Sequence, residues 1–186
     1  MTAGLILAGG DGSRFGRESK LVQDLAGRPL LEYAISAVSA VTAVDPVVVV
    51  LGAQADVVRA RVRFGRAEPV VCENWSLGMS ATLKFGVRAL VGADRVLVLL
   101  GDSPTVTTEV VERFALAPPG SRAVYDGRPG HPVVLGPRQL DALRSVAGDR
   151  GARGLLDGPE IECSDLCSGL DVDTPEDLER LRADWR

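Results

Sequence analysis

Three stretches of the chain are continuously apolar and stop at glycine. Residues 3–8 run into Gly9-Gly10, residues 47–51 into Gly52, and residues 96–100 into Gly101-Asp102. A short apolar run bounded in this way is the pattern of a strand buried on both faces. Residues 69–72, 122–125 and 132–135 are weaker strand candidates. The segments between them carry apolar residues at helical spacing. They predict helices over 30–38, with Pro29 at the first helical position, and over 53–62, 79–91, 107–116 and 137–146. The last helix is the clearest. Thr174 is a good N-cap, Pro175 opens the first turn, Glu176 and Asp177 fill it, and Leu178 and Leu181 carry the apolar face.

Strands alternating with helices predict an α/β fold with a mostly parallel central sheet, and the length of 186 residues fits one domain over 1–186. The proline- and glycine-dense stretch 117–132 reads as loop and hairpin inside that domain. In parallel α/β sheets ligands sit outside the carboxyl ends of the strands. Gly9-Gly10, Gly52 and Gly101-Asp102 are therefore expected to converge on one cleft.

Composition narrows the chemistry. The net charge of −4 gives no basic footprint for nucleic acid. Three cysteines (Cys72, Cys163, Cys167) without a repeated C-x-x-C pair suit neither a disulfide framework nor a zinc site, and one histidine excludes a multi-histidine metal centre. No apolar run approaches membrane-spanning length and no basic leader precedes the first strand, so the expected setting is the cytoplasm, away from membranes. Only two lysines are present, Lys20 and Lys84, which singles out Lys20 beside the first glycine cluster.

That cluster, Leu7-Ala8-Gly9-Gly10-Asp11-Gly12-Ser13-Arg14-Phe15-Gly16, follows the first predicted strand. Successive backbone N–H groups in such a loop can cradle phosphate oxygens, with Arg14 and Lys20 adding a forked donor and a compact cation. The same glycines would also serve a plain tight turn. The dinucleotide fingerprint fails because Phe15 stands where its third glycine belongs, and a P-loop fails because Ser19 precedes Lys20. Asp102, after the third strong strand, suits a Mg²⁺ site built from one or two carboxylates and substrate phosphates; it also suits turn initiation before Ser103-Pro104. Asp171 and Asp173 fall on one side of an extended segment, so either can reach a metal. Helix capping accounts for Thr174, Pro175 and Asp177 and leaves Asp173 unexplained. In the middle segment, Asn74, Gly78 and Ser80 are candidates to meet a base or ribose, while Trp75 is expected to pack against the fold. His131, between Gly130 and Pro132, is first of all a structural residue, and its titration near neutrality keeps it a candidate.

Together these residues resemble the MobA-like nucleotidyltransferases. The resemblance rests on Leu7-Ala8-Gly9-Gly10-x-Gly12-Ser13-Arg14-x-Gly16 with Lys20, on Trp75-x-x-Gly78-Met79-Ser80, Leu99-Leu100-Gly101-Asp102-x-Pro104, Gly130-His131-Pro132-Val133 and Gly148-Asp149-x-Gly151-Ala152-Arg153, and on Asp171-Val172-Asp173-Thr174-Pro175-Glu176-Asp177-Leu178. The middle motifs look most like the molybdenum cofactor cytidylyltransferase branch. Departures from that branch are Gly9 in place of Ala, Ser103 in place of Gln, and Ser19 in place of Pro before the lysine.

The resemblance implies a Rossmann-like three-layer nucleotidyltransferase fold and transfer of a nucleoside monophosphate from an NTP, CTP ahead of GTP. The acceptor would be a phosphorylated small molecule of molybdopterin type, with Mg²⁺ as cofactor and a molybdoenzyme or chaperone as protein partner. By the same carry-over Lys20, Arg14 and Asp102 are catalytic. Leu7, Ala8, Gly9, Gly10, Gly12, Ser13, Arg14, Lys20, Asn74, Gly78 and Ser80 bind the nucleotide. Asp102 and Asp173 hold the metal, and Gly130, His131 and Asp171 face the acceptor. The alternatives are a nucleotidyltransferase for a sugar, polyol or small-acid phosphate, a catalytically silent nucleotide-binding module, and a dinucleotide-binding domain.

Overall fold

The continuously apolar runs are strands with a helical layer on each side. A computed structural model describes residues 1–12, 15 and 18–185. Its main sheet has seven strands among the described residues. Those read most strongly from the sequence are β1 (Thr2–Ala8), β4 (Val44–Leu51) and β6 (Arg95–Leu100); β2 (Asp24–Leu25) and β3 (Arg28–Pro29) form a separate two-strand ladder. β5 (Glu68–Val71), β7 (Arg122–Tyr125), β8 (Arg128–Leu135) and β9 (Glu160–Glu162) complete the sheet in the order β5-β4-β1-β6-β8-β7-β9. β4, β1, β6 and β5 run parallel, β8 lies antiparallel to β6 and to β7, and β9 is parallel to β7.

Alternate strand residues feed two cores, as the pleat requires. On one face Ile6, Val49 and Leu99 pack with α1 (Leu30–Ala40), α2 (Ala55–Arg61) and α4 (Thr108–Leu116). On the other, Leu5, Val50 and Val98 pack with α3 (Met79–Ala89) and with the segment that follows α5 (Pro137–Ala142). Both faces of the central strands are thus out of water, which is why they carry no polar alternation. A third, smaller cluster joins Leu25 and Leu30 to Val172 and to Leu178 of α6 (Pro175–Asp184).

Several details differ from the sequence reading, the β2–β3 ladder among them. Pro29 does not open α1. It is the extended N-cap residue and pairs with Asp24, because the β2–β3 ladder claims it first. The helix expected over 137–146 ends at Ala142 and tightens into a 3₁₀ turn, Leu143–Ser145, which drives Leu143 into the core. β9 was not anticipated, since Glu160-Ile161-Glu162 has one apolar residue and is held only by its edge pairing with β7. No described helix is long and apolar enough to cross a membrane.

Candidate active site

The order β4-β1-β6 places the point where the chain's crossovers change direction between β1 and β6. A cleft of about 540 Å³ opens there, a size suited to a nucleotide. The Gly101 N–H donates to the Leu7 carbonyl at 2.8 Å, binding the two strand ends together. Leu7, Ala8, Gly9, Gly10 and Gly12 line the cleft from one strand and Asp102 from the other. Gly52 stands behind Gly9 and does not line it: the Ala53 N–H reaches the Gly9 carbonyl at 3.4 Å.

Lys20 projects into this space from a short 3₁₀ turn, Lys20–Val22, anchored by buried Leu21 and Val22. The Ser19 hydroxyl accepts from the Leu21 N–H at 3.4 Å, so Ser19 caps the turn. The Lys20 ammonium pairs with Asp102 Oδ2 and donates to Asp173 Oδ1 and to the Val172 carbonyl, each at 3.1 Å. Burial alone would lower the Lys20 pKa; the carboxylates of Asp102 and Asp173 outweigh it and hold it above the ordinary lysine value. Asp102 Oδ1 is buried and has no hydrogen-bond partner among the described residues.

Asp173 arrives on a strap fixed at both ends. The Val172 N–H donates to the Asp102 carbonyl at 2.8 Å, and the Val172 side chain is buried. Downstream, Thr174 and Asp177 form a capping box at the start of α6, and Asp177 Oδ2 also accepts from the Asp173 N–H at 3.2 Å. The two carboxylates flanking Val172 take different partners: Asp173 meets Lys20, whereas Asp171 accepts the Ser103 hydroxyl. Asp171 is exposed as a residue, yet loss of water around its carboxyl and the nearby charge of Asp102 push its pKa up to about 6.

The remaining lining comes from the turn before α3. Trp75–Leu77 forms a 3₁₀ turn, Gly78 takes φ +98°, and Met79 begins the helix. Trp75, Ser76, Gly78, Met79 and Thr82 line the cleft, and Asp149 joins them from a distant segment. Trp75, which the sequence predicts to pack against the fold, also faces the cleft. Asn74 and Ser80 are not among the lining residues: Asn74 is exposed, and Ser80 is turned into the protein at 3 % exposure. Gly130 and His131 lie on β8, away from the lining. Gly130 faces the Tyr125 ring, and the His131 carbonyl accepts the Tyr125 hydroxyl at 2.6 Å. Burial, with a smaller contribution from Arg153, lowers the His131 pKa to about 4, which keeps the imidazole neutral. Ser13 and Arg14 lie outside the described residues. Asp149 belongs to the motif Gly148-Asp149-x-Gly151, which the sequence shows without tying it to the cleft.

Among the described residues no three His, Cys, Asp or Glu side chains gather as a self-sufficient metal cage. Asp102 and Asp173 offer only hard oxygen donors, and the unpartnered Asp102 Oδ1 leaves one acceptor ready. A small hard cation completed by substrate phosphates fits such a pair.

The family model for the MobA-like NTP transferase domain matches residues 4–164. Nicotine blue oxidoreductase of Paenarthrobacter nicotinovorans is 37 % identical, with 96 % of this chain and 95 % of that protein covered. Molybdenum cofactor guanylyltransferase of Rhodobacter capsulatus is 34 % identical, covering 96 % of this chain and 93 % of that one. Among solved structures, a nucleotidyl transferase from Methanothermobacter superposes with a TM-score of 0.81 at 24 % identity, over 99 % of this chain and 97 % of that one. The family match over most of the chain settles its membership: the chain belongs to the MobA-like NTP transferase family of nucleotidyltransferases.

Proposed function

We propose that this protein transfers a nucleoside monophosphate from an NTP to a phosphorylated small-molecule acceptor of molybdopterin type, releasing pyrophosphate, with Mg²⁺ as cofactor. The observation that carries the reading is the meeting of Lys20, Asp102 and Asp173 at the glycine-lined end of the cleft. An acceptor phosphate oxygen attacks the α-phosphorus in line; the new P–O bond forms as the bond to the β-phosphate oxygen breaks. The Gly9–Gly12 backbone and Lys20 hold the triphosphate and take up the charge that grows on the leaving pyrophosphate. Asp102 and Asp173 would hold the cation, which when bound neutralises phosphate charge. No covalent protein nucleophile is needed. Gly130, His131 and Asp171 remain the candidates on the acceptor side, and Arg14 and Ser13 on the phosphate side.

CTP and GTP are the nucleotides to test first. The middle motifs favour cytidine. Gly9-Gly10, and a relative that is a guanylyltransferase, favour guanine. A second reading follows from the relative that is an oxidoreductase: a nicotinamide dinucleotide in the same cleft. Against it, β4 ends in Leu51-Gly52 with no acid to meet a ribose.

One experiment separates the two. The purified protein is given each NTP, Mg²⁺ and a molybdopterin-type acceptor, and pyrophosphate is measured; a parallel series follows NAD(P)H oxidation with a redox dye. Acceptor-dependent pyrophosphate release with CTP or GTP supports the transferase reading. Dye-dependent NAD(P)H oxidation without pyrophosphate release would replace it.

A further inference from the structure

Asp149 sits where a carboxylate is unexpected in a site for a triphosphate. Its Oδ1 accepts the Met79 N–H at 3.2 Å, at the first turn of α3, and Asp149 itself lines the cleft. The contact is close-built on both sides. A Cβ on Gly78 would lie 2.5 Å from Asp149 Oδ1 and 2.9 Å from the Gly148 carbonyl carbon, and a Cβ on Gly151 would lie 2.8 Å from Met79 Sδ. The segment 148–151 is therefore seated against the turn that forms this part of the cleft, with the carboxylate at the contact.

Two consequences follow. The N-terminus of an α-helix attracts anions, and here the protein supplies its own. A phosphate is repelled from this end, while Lys20 and the glycine loop attract it at theirs. The nucleotide is thereby given a direction: phosphates toward Lys20, base toward Asp149. Near a carboxylate, a base edge is favoured if it presents N–H donors and disfavoured if it presents carbonyl oxygens. Cytosine offers its exocyclic amino group, and guanine its ring N–H and exocyclic amino group. Uracil offers one N–H flanked by two carbonyl oxygens.

Resting on the NTP-transfer reading above, we infer that Asp149 is a specificity-determining residue that orients the nucleotide and selects bases bearing an exocyclic amino group. The test uses two pairs that differ at that group, CTP with UTP and GTP with ITP. Their dissociation constants are measured by calorimetry with Mg²⁺ for the wild-type chain, Asp149→Asn and Asp149→Ala, after circular dichroism has established that the variants fold.

The wild-type chain is expected to prefer the amino-bearing member of at least one pair by about tenfold or more, the scale of one well-placed polar contact. Asp149→Ala erases the preference. Asp149→Asn, whose oxygen can keep the Met79 N–H while its amide group donates toward the base, erases or reverses it. Unchanged ratios in both variants, or a wild-type chain that does not discriminate within either pair, overturn the inference and leave the transferase reading standing. Failure of the wild-type chain to bind any of the four nucleotides overturns both.

Discussion

Asp102 gives one carboxylate oxygen to the Lys20 ammonium and buries the other without a partner among the described residues. Both side chains are largely buried, at 14 % exposure for Lys20 and 17 % for Asp102. Loss of Asp102 would therefore do two things at once: remove the proposed cation ligand and leave a buried ammonium with Asp173 as its remaining carboxylate. The two effects separate by substitution. Asp102→Ala is expected to lose about 1–3 kcal/mol of stability together with turnover. Asp102→Asn keeps an acceptor for Lys20 but not the opposing charge, so it should lose less stability than the alanine variant, while turnover falls by about 100-fold or more. Thermal melts and pyrophosphate release on the same preparations decide it. An Asn variant with wild-type turnover would remove Asp102 from the metal assignment.

Gly9 is fixed by Thr82. A Cβ on Gly9 would come within 2.7 Å of Thr82 Cγ2. Thr82 cannot readily turn aside, since it is β-branched, 5 % exposed, and its hydroxyl donates to the Met79 carbonyl at 2.9 Å. Gly9→Ala is expected to destabilise the protein by about 1–3 kcal/mol through overpacking and to weaken nucleotide binding. Thr82→Ser keeps the hydroxyl and removes the methyl group in the way. The double variant should recover most of the loss, which a double-mutant cycle measures as a coupling of about 1 kcal/mol or more. Additive losses would mean that the clash is relieved elsewhere.

The parts legible in the sequence were those set by local pattern. The strand ends at Ala8 and Leu100 put Gly9, Gly10 and Asp102 on the cleft because buried strands must stop where the backbone reaches water. Thr174 and Asp177 were readable as a cap because a capping box is a contact within one turn. Asp149 was not readable as a lining residue, since its partner Met79 lies 70 positions away. The choice between Asp171 and Asp173 was likewise open, because alternation puts both on one side and only Lys20 and Ser103, from other parts of the chain, tell them apart. The direction of the Ser80 side chain was also out of reach: a helix start is readable locally, but that this helix turns Ser80 into the protein depends on what it packs against.

Arg66 secures the end of α1 and the entry to β4. Its guanidinium donates to the carbonyls of Ser39 at 2.8 Å, Val41 at 3.0 Å and Val44 at 2.8 Å, and to Asp45 Oδ1 at 2.9 Å. The carbonyls at a helix C-terminus and in the turn after it have no partners within the helix. Arg66→Ala is expected to cost about 2–3 kcal/mol, since several acceptors lose a charged donor together. Arg66→Lys restores charge without the planar fork and should recover less than half. Urea denaturation measures both. A lysine variant indistinguishable from wild type would show that charge alone matters there.

His131 supplies an acid-sensitive component of stability. Its folded pKa is lowered to about 4, against about 6.5 for an unperturbed histidine. Between those values the unfolded chain binds a proton that the folded chain refuses. Stability therefore rises with pH across that window: the contribution is complete above about pH 6.5, declines as the pH falls, and is gone below about pH 4. The full shift would correspond to about 3 kcal/mol. His131 is half-buried as a residue, so solvent screening reduces the expected figure to about 1–2 kcal/mol. Arg153 is the charge that adds to the burial. Asp171, raised to about 6, acts in the opposite sense over part of the same range, so the wild-type profile alone does not isolate the histidine. His131→Gln does. It removes the titrating ring and leaves the backbone carbonyl that Tyr125 uses. The stability difference between wild type and His131→Gln, taken from urea denaturation at pH 7.5 and again at pH 4.5, should shift by about 1–2 kcal/mol in favour of the variant at the lower pH. An equal difference at the two pH values would mean that the imidazole takes up its proton as readily in the folded chain as in the unfolded one.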